Sequence, residues 1–117
     1  MSAPAPTRTD AEADAAAGAV FAALADPTRR HVVRALAARP QVTASALAAE
    51  LPISRQAVAK HLAALRDAGL AVAEPVGRET QYRFTPAPLG EAMRWIASAG
   101  GSWDARLRRL ERRLAER

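Results

Sequence analysis

Cysteine is absent from the 117-residue chain. Disulfides, thiolate zinc sites and thiol-based sensing are therefore excluded by inventory. Aromatic residues make up only 4% of the sequence, and histidine occurs twice, at His31 and His61. No stretch approaches the ~18 consecutive apolar residues of a membrane span, so no membrane partner is expected. The chain offers no Gly-rich phosphate loop, no thiol nucleophile and no evident pair of carboxylates. It is not read as an enzyme, and no catalytic residue or cofactor is assigned. The Ala-rich N-terminus carries Asp10, Glu12 and Asp14 where a secretory signal has a basic start and a Leu-rich core, so the expected location is the cytoplasm.

Half of the residues are hydrophobic, enough for one domain with a modest core. The formal charge of +5 is unevenly spread. Residues 1 to 26 set Arg8 against Asp10, Glu12, Asp14 and Asp26. Residues 27 to 70 set Arg29, Arg30, Arg34, Arg39, Arg55, Lys60 and Arg66 against only Glu50 and Asp67. A basic middle favours a polyanionic partner.

That middle contains the best-framed helix of the chain, between a Ser54 N-cap and Gly69, a residue suited to a left-handed C-terminal turn. Val58, Leu62 and Leu65 form one apolar stripe. Arg55, Gln56, Ala59, Lys60 and His61 point away from it near the N-terminus, where side chains reach base edges and the helix dipole faces phosphate. A shorter amphipathic helix precedes it, with Ala44, Leu47, Ala48 and Leu51 after a Thr43 cap. Pro52 cannot continue that helix, so the two are joined by a tight turn as a helix-turn-helix. The competing reading is an ordinary helical hairpin with no ligand.

Residues 1–11 lack periodicity and are read as a disordered tail, leaving 12–117 as the domain. From about Glu12, Ala17, Val20, Phe21 and Leu24 form a helical stripe. Asp26-Pro27 is a strong start for a helix to about Ala38. Its Arg29, Arg30 and Arg34 either meet phosphate or are solvated and paired with acids such as Glu50. Pro40-Gln41-Val42 is a connector. After Gly69 the period changes: Leu70 and Val72, then Thr80, Tyr82 and Phe84, alternate around a break at Pro75 and Gly77, as in a two-stranded hairpin. Arg78 at its tip and Arg83 opposite Tyr82 and Phe84 suit a wing lying along DNA. The alternative is an ordinary hairpin with solvated arginines.

From about residue 87 to 116 the most regular pattern appears. Leu89, Met93, Ile96, Gly100, Trp103, Leu107, Leu110 and Leu114 alternate steps of four and three, a heptad seam. Gly100 and Gly101 each cost about 1 kcal/mol relative to Ala inside a helix, so either the helix breaks there or two backbones approach closely. Such a seam is best used in self-association, with Leu89, Met93, Ile96, Trp103, Leu107, Leu110 and Leu114 as dimerisation residues.

The order helix, helix, helix-turn-helix, hairpin, long helix is that of a mainly α winged helix-turn-helix. The segments Phe21–Arg30 and Leu51–Leu65, with Gly77-Arg78 and Tyr82-Arg83, resemble the corresponding stretches of the ArsR family of bacterial transcriptional regulators. The resemblance spans about residue 15 to the C-terminus. It implies a homodimer whose terminal helices pair, placing one recognition helix per subunit in successive major grooves of double-stranded DNA at a near-palindromic operator. Ser54, Arg55, Gln56, Ala59, Lys60, His61, Arg78 and Arg83 are the assigned DNA contacts, and the regulator is read as a repressor. The cysteine-based and paired histidine–acid sites of the founding members are missing, so no metal site is assigned and the chain resembles the branch without metal sensing. No residue identifies a small-molecule effector. The rival function is a winged-helix module that binds protein and never contacts DNA; it would replace Arg55, Gln56 and Lys60 with exposed apolar anchors.

Overall fold

The computed structural model describes residues 9–116. Five helices and one hairpin follow in the expected order: α1 (Asp10–Leu24), α2 (Pro27–Ala37), α3 (Ala44–Glu50), α4 (Arg55–Asp67), β1 (Ala71–Val76), β2 (Glu79–Phe84) and α5 (Leu89–Ala115). This is the mainly α winged helix-turn-helix. Residues 1–8 of the expected tail lie outside the described residues. Thr9, Asp10 and Ala11 do not belong to a tail: the Thr9 hydroxyl accepts from the Glu12 amide and Glu12 reaches back to the Thr9 amide. A reciprocal cap thus starts α1 ahead of the apolar stripe.

The core forms where α1 to α4 and the hairpin converge. Val20, Val32, Leu36, Leu47, Val58, Leu62, Leu65 and Leu70 are its largest fully buried side chains. Each contributes on the order of 1.5–3 kcal/mol by leaving water, an upper range because an unfolded chain already hides some apolar surface. The apolar periodicities of α2, α3 and α4 all point into this one cluster.

Local chemistry sets the ends of the recognition unit. Thr43 caps α3 by accepting from the Ala46 amide at 3.1 Å, and Ser54 caps α4 by accepting from the Ala57 amide at 3.1 Å. Leu51 is extended, as a residue before proline prefers, and the chain turns before re-entering a helix. At the far end Gly69 adopts φ +77°. Its amide donates to the Arg66 carbonyl and the Leu70 amide donates to the Leu65 carbonyl, with Leu70 fully buried, which is a Schellman closure.

Leu70 is consequently part of the helix closure, and the strand alternation begins one residue later than the apolar pattern suggests. Ala71 pairs with Phe84 and Ala73 with Tyr82, and these four residues share the inner face. Val72 pairs with Arg83 on the outer face, contrary to its expected inward placement. The two-residue tip Gly77-Arg78 has Gly77 at φ +63°. Val42 exchanges both backbone hydrogen bonds with Tyr82, at 3.0 and 2.8 Å. The connector therefore fixes the wing beside the N-terminus of α3.

Helix α5 is continuous through Gly100 and Gly101, so the break considered from sequence does not occur. Its first turns lie on α1. Trp95 stands edge-on to Phe21, with centroids 5.6 Å apart, and its Nε1 donates to Asp14 at 3.1 Å. Leu89 packs on the core, whereas Met93, Ile96, Trp103, Leu107, Leu110 and Leu114 are exposed. No helix among the described residues is long and apolar enough to cross a membrane.

Candidate nucleic-acid interface

With Val58, Leu62 and Leu65 turned into the core, helical geometry leaves the opposite side of α4 to solvent. Ser54, Arg55, Gln56, Ala59 and Lys60 are all exposed there. The first turn of α4 holds no acid, so the positive end of its dipole and the Arg55 guanidinium act together on an approaching anion.

Arg55, Gln56 and Ala59 form one wall of a cleft of about 410 Å³. The wing forms another with Arg78, Glu79, Thr80 and Tyr82, and the start of α3 closes it with Thr43, Ala44 and Ser45. Two arginines, an amide and several hydroxyls thus face one concave surface. This donor set suits phosphate oxygens and base edges. Thr43, Ser45, Thr80 and Tyr82 were not assigned from sequence. The signal that could have found them is the Val42–Tyr82 pairing, which brings the wing to α3, and no local pattern in the sequence encodes it.

Lys60 is exposed on α4 but is not among the residues lining the cleft. Two other assigned residues are placed differently from the expectation. His61 is half-buried on the flank facing α2, where its Nδ1 accepts from Nε of Arg29 at 3.3 Å. It therefore does not share the exposed surface of Arg55, Gln56 and Ala59. Arg83 projects from the outer face of the wing and meets Glu74 at 3.4 Å, with both side chains more than half exposed, a pairing of small energetic weight.

Arg29 and Arg30 of α2 are used within the fold. Arg29 also donates to the Ala23 carbonyl at 3.4 Å, and Arg30 donates to the Leu24 carbonyl at 2.6 Å, satisfying the end of α1. Glu50 pairs with Arg39, at 2.6 Å through both oxygens, and not with Arg29, Arg30 or Arg34. Asp26 caps α2, accepting from the Thr28 and Arg29 amides at 2.8 and 3.2 Å. The Arg29 amide in particular holds its carboxyl below the ordinary value of 3.8, against a smaller opposing effect of burial. Among the described residues, no three His, Asp or Glu side chains gather in a way that would hold a metal ion.

A capped recognition helix, a supporting helix and a wing around one basic cleft define a winged helix-turn-helix DNA-binding regulator. A family profile described as a helix-turn-helix domain matches residues 24–73, the span from the end of α1 into β1. The uncharacterized HTH-type transcriptional regulator YuzN of Bacillus subtilis (strain 168) is 38% identical over 85 residues, which cover 67% of this chain and 92% of YuzN. The solved structure of an ArsR-like transcriptional regulator from Rhodococcus sp. RHA1 is 42% identical and superposes with a TM-score of 0.76, covering 85% of this chain and 92% of that one. A crystal structure of an ArsR family transcriptional regulator is 30% identical, with a TM-score of 0.69 over 78% of this chain and 93% of that one. The chain belongs to the ArsR family of helix-turn-helix transcriptional regulators, and it is not an enzyme.

Proposed function

We propose that this regulator is a cytoplasmic homodimeric repressor that reads a near-palindromic operator with two copies of α4. The observation that carries the reading is the exposed row Arg55, Gln56 and Ala59 on the N-terminal half of α4, facing a cleft shared with Arg78. Arg55 and Gln56 supply base-edge chemistry, Ala59 leaves room for close approach, and Lys60 and Arg78 meet phosphate. The apolar seam of α5 joins the two copies, since one recognition helix spans too few base pairs to select an operator. A relative named as a repressor superposes over 86% of this chain at a TM-score of 0.58, the AntR antimony-specific transcriptional repressor, which favours repression as the sign of regulation.

Fluorescence anisotropy with the DNA upstream of the protein's own gene, against a random duplex of equal length and at several salt concentrations, tests this. Tight binding to the upstream duplex is expected to fall steeply with salt. Arg55→Ala should cost about 1–3 kcal/mol and relax discrimination at one base pair, whereas Lys60→Ala should weaken every duplex alike and lower the salt slope by about one unit. Equal affinity of the unsubstituted protein and both variants for all duplexes would overturn the assignment.

A further inference from the structure

Among the residues that line the cleft of about 410 Å³ one is acidic, Glu79, which follows the wing tip Gly77-Arg78. Arg55 and Arg78 line the same cleft, yet among the described residues neither forms an ion pair with it. Its Oε2 accepts from Nε2 of Gln81 at 3.4 Å, and its Oε1 has no partner among the described residues. Such a carboxylate opposes a polyanion unless the nucleic acid offers it a donor.

The shape of the cleft decides which part of a duplex meets that acid. Arg55, Gln56 and Ala59 of α4 form one wall and the wing forms another. With α4 in the major groove, about 12 Å wide, the phosphate strand bounding that groove runs in the cleft, and beyond that strand lies the minor groove, about 6 Å wide. The wing tip is a two-residue turn, and nothing lies within 4 Å of the Cβ position at Gly77. Tip and Glu79 therefore stand over the minor groove while α4 faces the major groove.

An A·T or T·A pair presents only acceptors in the minor groove, adenine N3 and thymine O2, whereas a G·C pair adds one donor, the N2 amine of guanine. We propose that Glu79 is a specificity-determining residue, its carboxylate accepting from that amine and selecting a G·C pair next to the bases read by α4. The inference rests on the DNA reading above and adds a second groove to it. Opposite an A·T pair the same carboxylate would face lone pairs with no donor to offset them. Arg78 at the tip supplies the compensating positive charge, so the wing as a whole is not repelled by the phosphates.

Base analogues that alter the minor groove alone test this. Duplexes are selected from a random pool by the full-length protein, and each guanine flanking the α4 bases is then replaced by inosine, which lacks the N2 amine and keeps the major-groove edge of guanine. Anisotropy should show about tenfold weaker binding at one flanking position, because the hydrogen bond lost is one to a charged acceptor. An A·T pair at that position should bind as weakly as inosine, and 2,6-diaminopurine, which returns the amine to such a pair, should restore affinity. Glu79→Ala should bind all four duplexes alike while keeping the preferences at the α4 bases. A loss on inosine that Glu79→Ala shares would mean that another group, or the shape of the groove, reads the amine, and would overturn the inference. No flanking guanine in the selected duplexes, or no effect of inosine on the unsubstituted protein, would overturn it while leaving the α4 reading standing. Glu79→Ala tightening every duplex equally would reduce the carboxylate to a repulsive charge and overturn it too. Selection of no sequence at all would defeat the DNA reading itself, and this inference with it.

Discussion

Nε of Arg29 in α2 donates to Nδ1 of His61 in α4 across 3.3 Å, and the same guanidinium donates to the Ala23 carbonyl at the end of α1. One side chain thus ties three helices, and the recognition helix is held from the side opposite the cleft.

A structural role for His61 has a distinct signature. His61→Phe keeps the ring and removes the acceptor, so it is expected to lower stability by about 0.5–1.5 kcal/mol. Its DNA affinity should fall by the same factor for operator and random duplexes, measured by anisotropy. A loss confined to one base pair of the operator would instead make His61 a base reader.

Asp26 gives a pH dependence whose sign follows from its depressed carboxyl. Such a group contributes stability that is fully present above its ordinary value of 3.8 and is lost as pH falls through its lower folded value. Asparagine also caps helices well but cannot ionise. The melting-temperature difference between the protein and Asp26→Asn should therefore be largest near neutrality and shrink steadily below pH ~4. A difference that is constant down to pH 2 would mean that the carboxylate charge contributes nothing to the cap.

The two left-handed glycines separate strain from crowding. A Cβ at Gly69 would lie 3.2 Å from Cγ of Pro88, whereas one at Gly77 meets nothing within 4 Å. Gly69→Ala should cost more than about 1 kcal/mol, because both the backbone and the neighbour resist it. Gly77→Asn should be nearly neutral, since asparagine tolerates the left-handed region and the tip is open. Urea melts of the two variants check this, and equal losses would contradict it.

Metal indifference is a further expectation, from the absent thiolates and from a His61 whose Nδ1 is already engaged. Zinc, cadmium or arsenite at micromolar concentration should leave operator affinity unchanged. A stoichiometric metal in the purified protein, lost on His61→Ala, would contradict it.

What was legible in the sequence was local. Thr43, Ser54, Asp26 and Gly69 each sit within four residues of the backbone groups they satisfy, so their roles follow from helix-end chemistry alone. The winged order and the seam of α5 were legible from periodicity. The phase of β1 was not, because Leu70 looks like a strand residue and is used to close α4. Arg29 and His61 are 32 residues apart, and Asp14 and Trp95 are 81 apart; each pair is created by packing and has no sequence signature. Trp95 lies off the heptad seam, so a search along that seam passes over it. Arg83 has the strand position of a DNA contact, and the cross-strand Glu74 that it meets is nine residues away with no local signature of the pairing.

The most direct test of the account is selection of bound duplexes from a random DNA pool by the full-length protein. Two recognition helices related by a twofold axis should enrich two inverted half-sites with centres about 10–10.5 base pairs apart or a multiple of that. Enrichment of a single unrepeated half-site, or of no sequence at all, would contradict it.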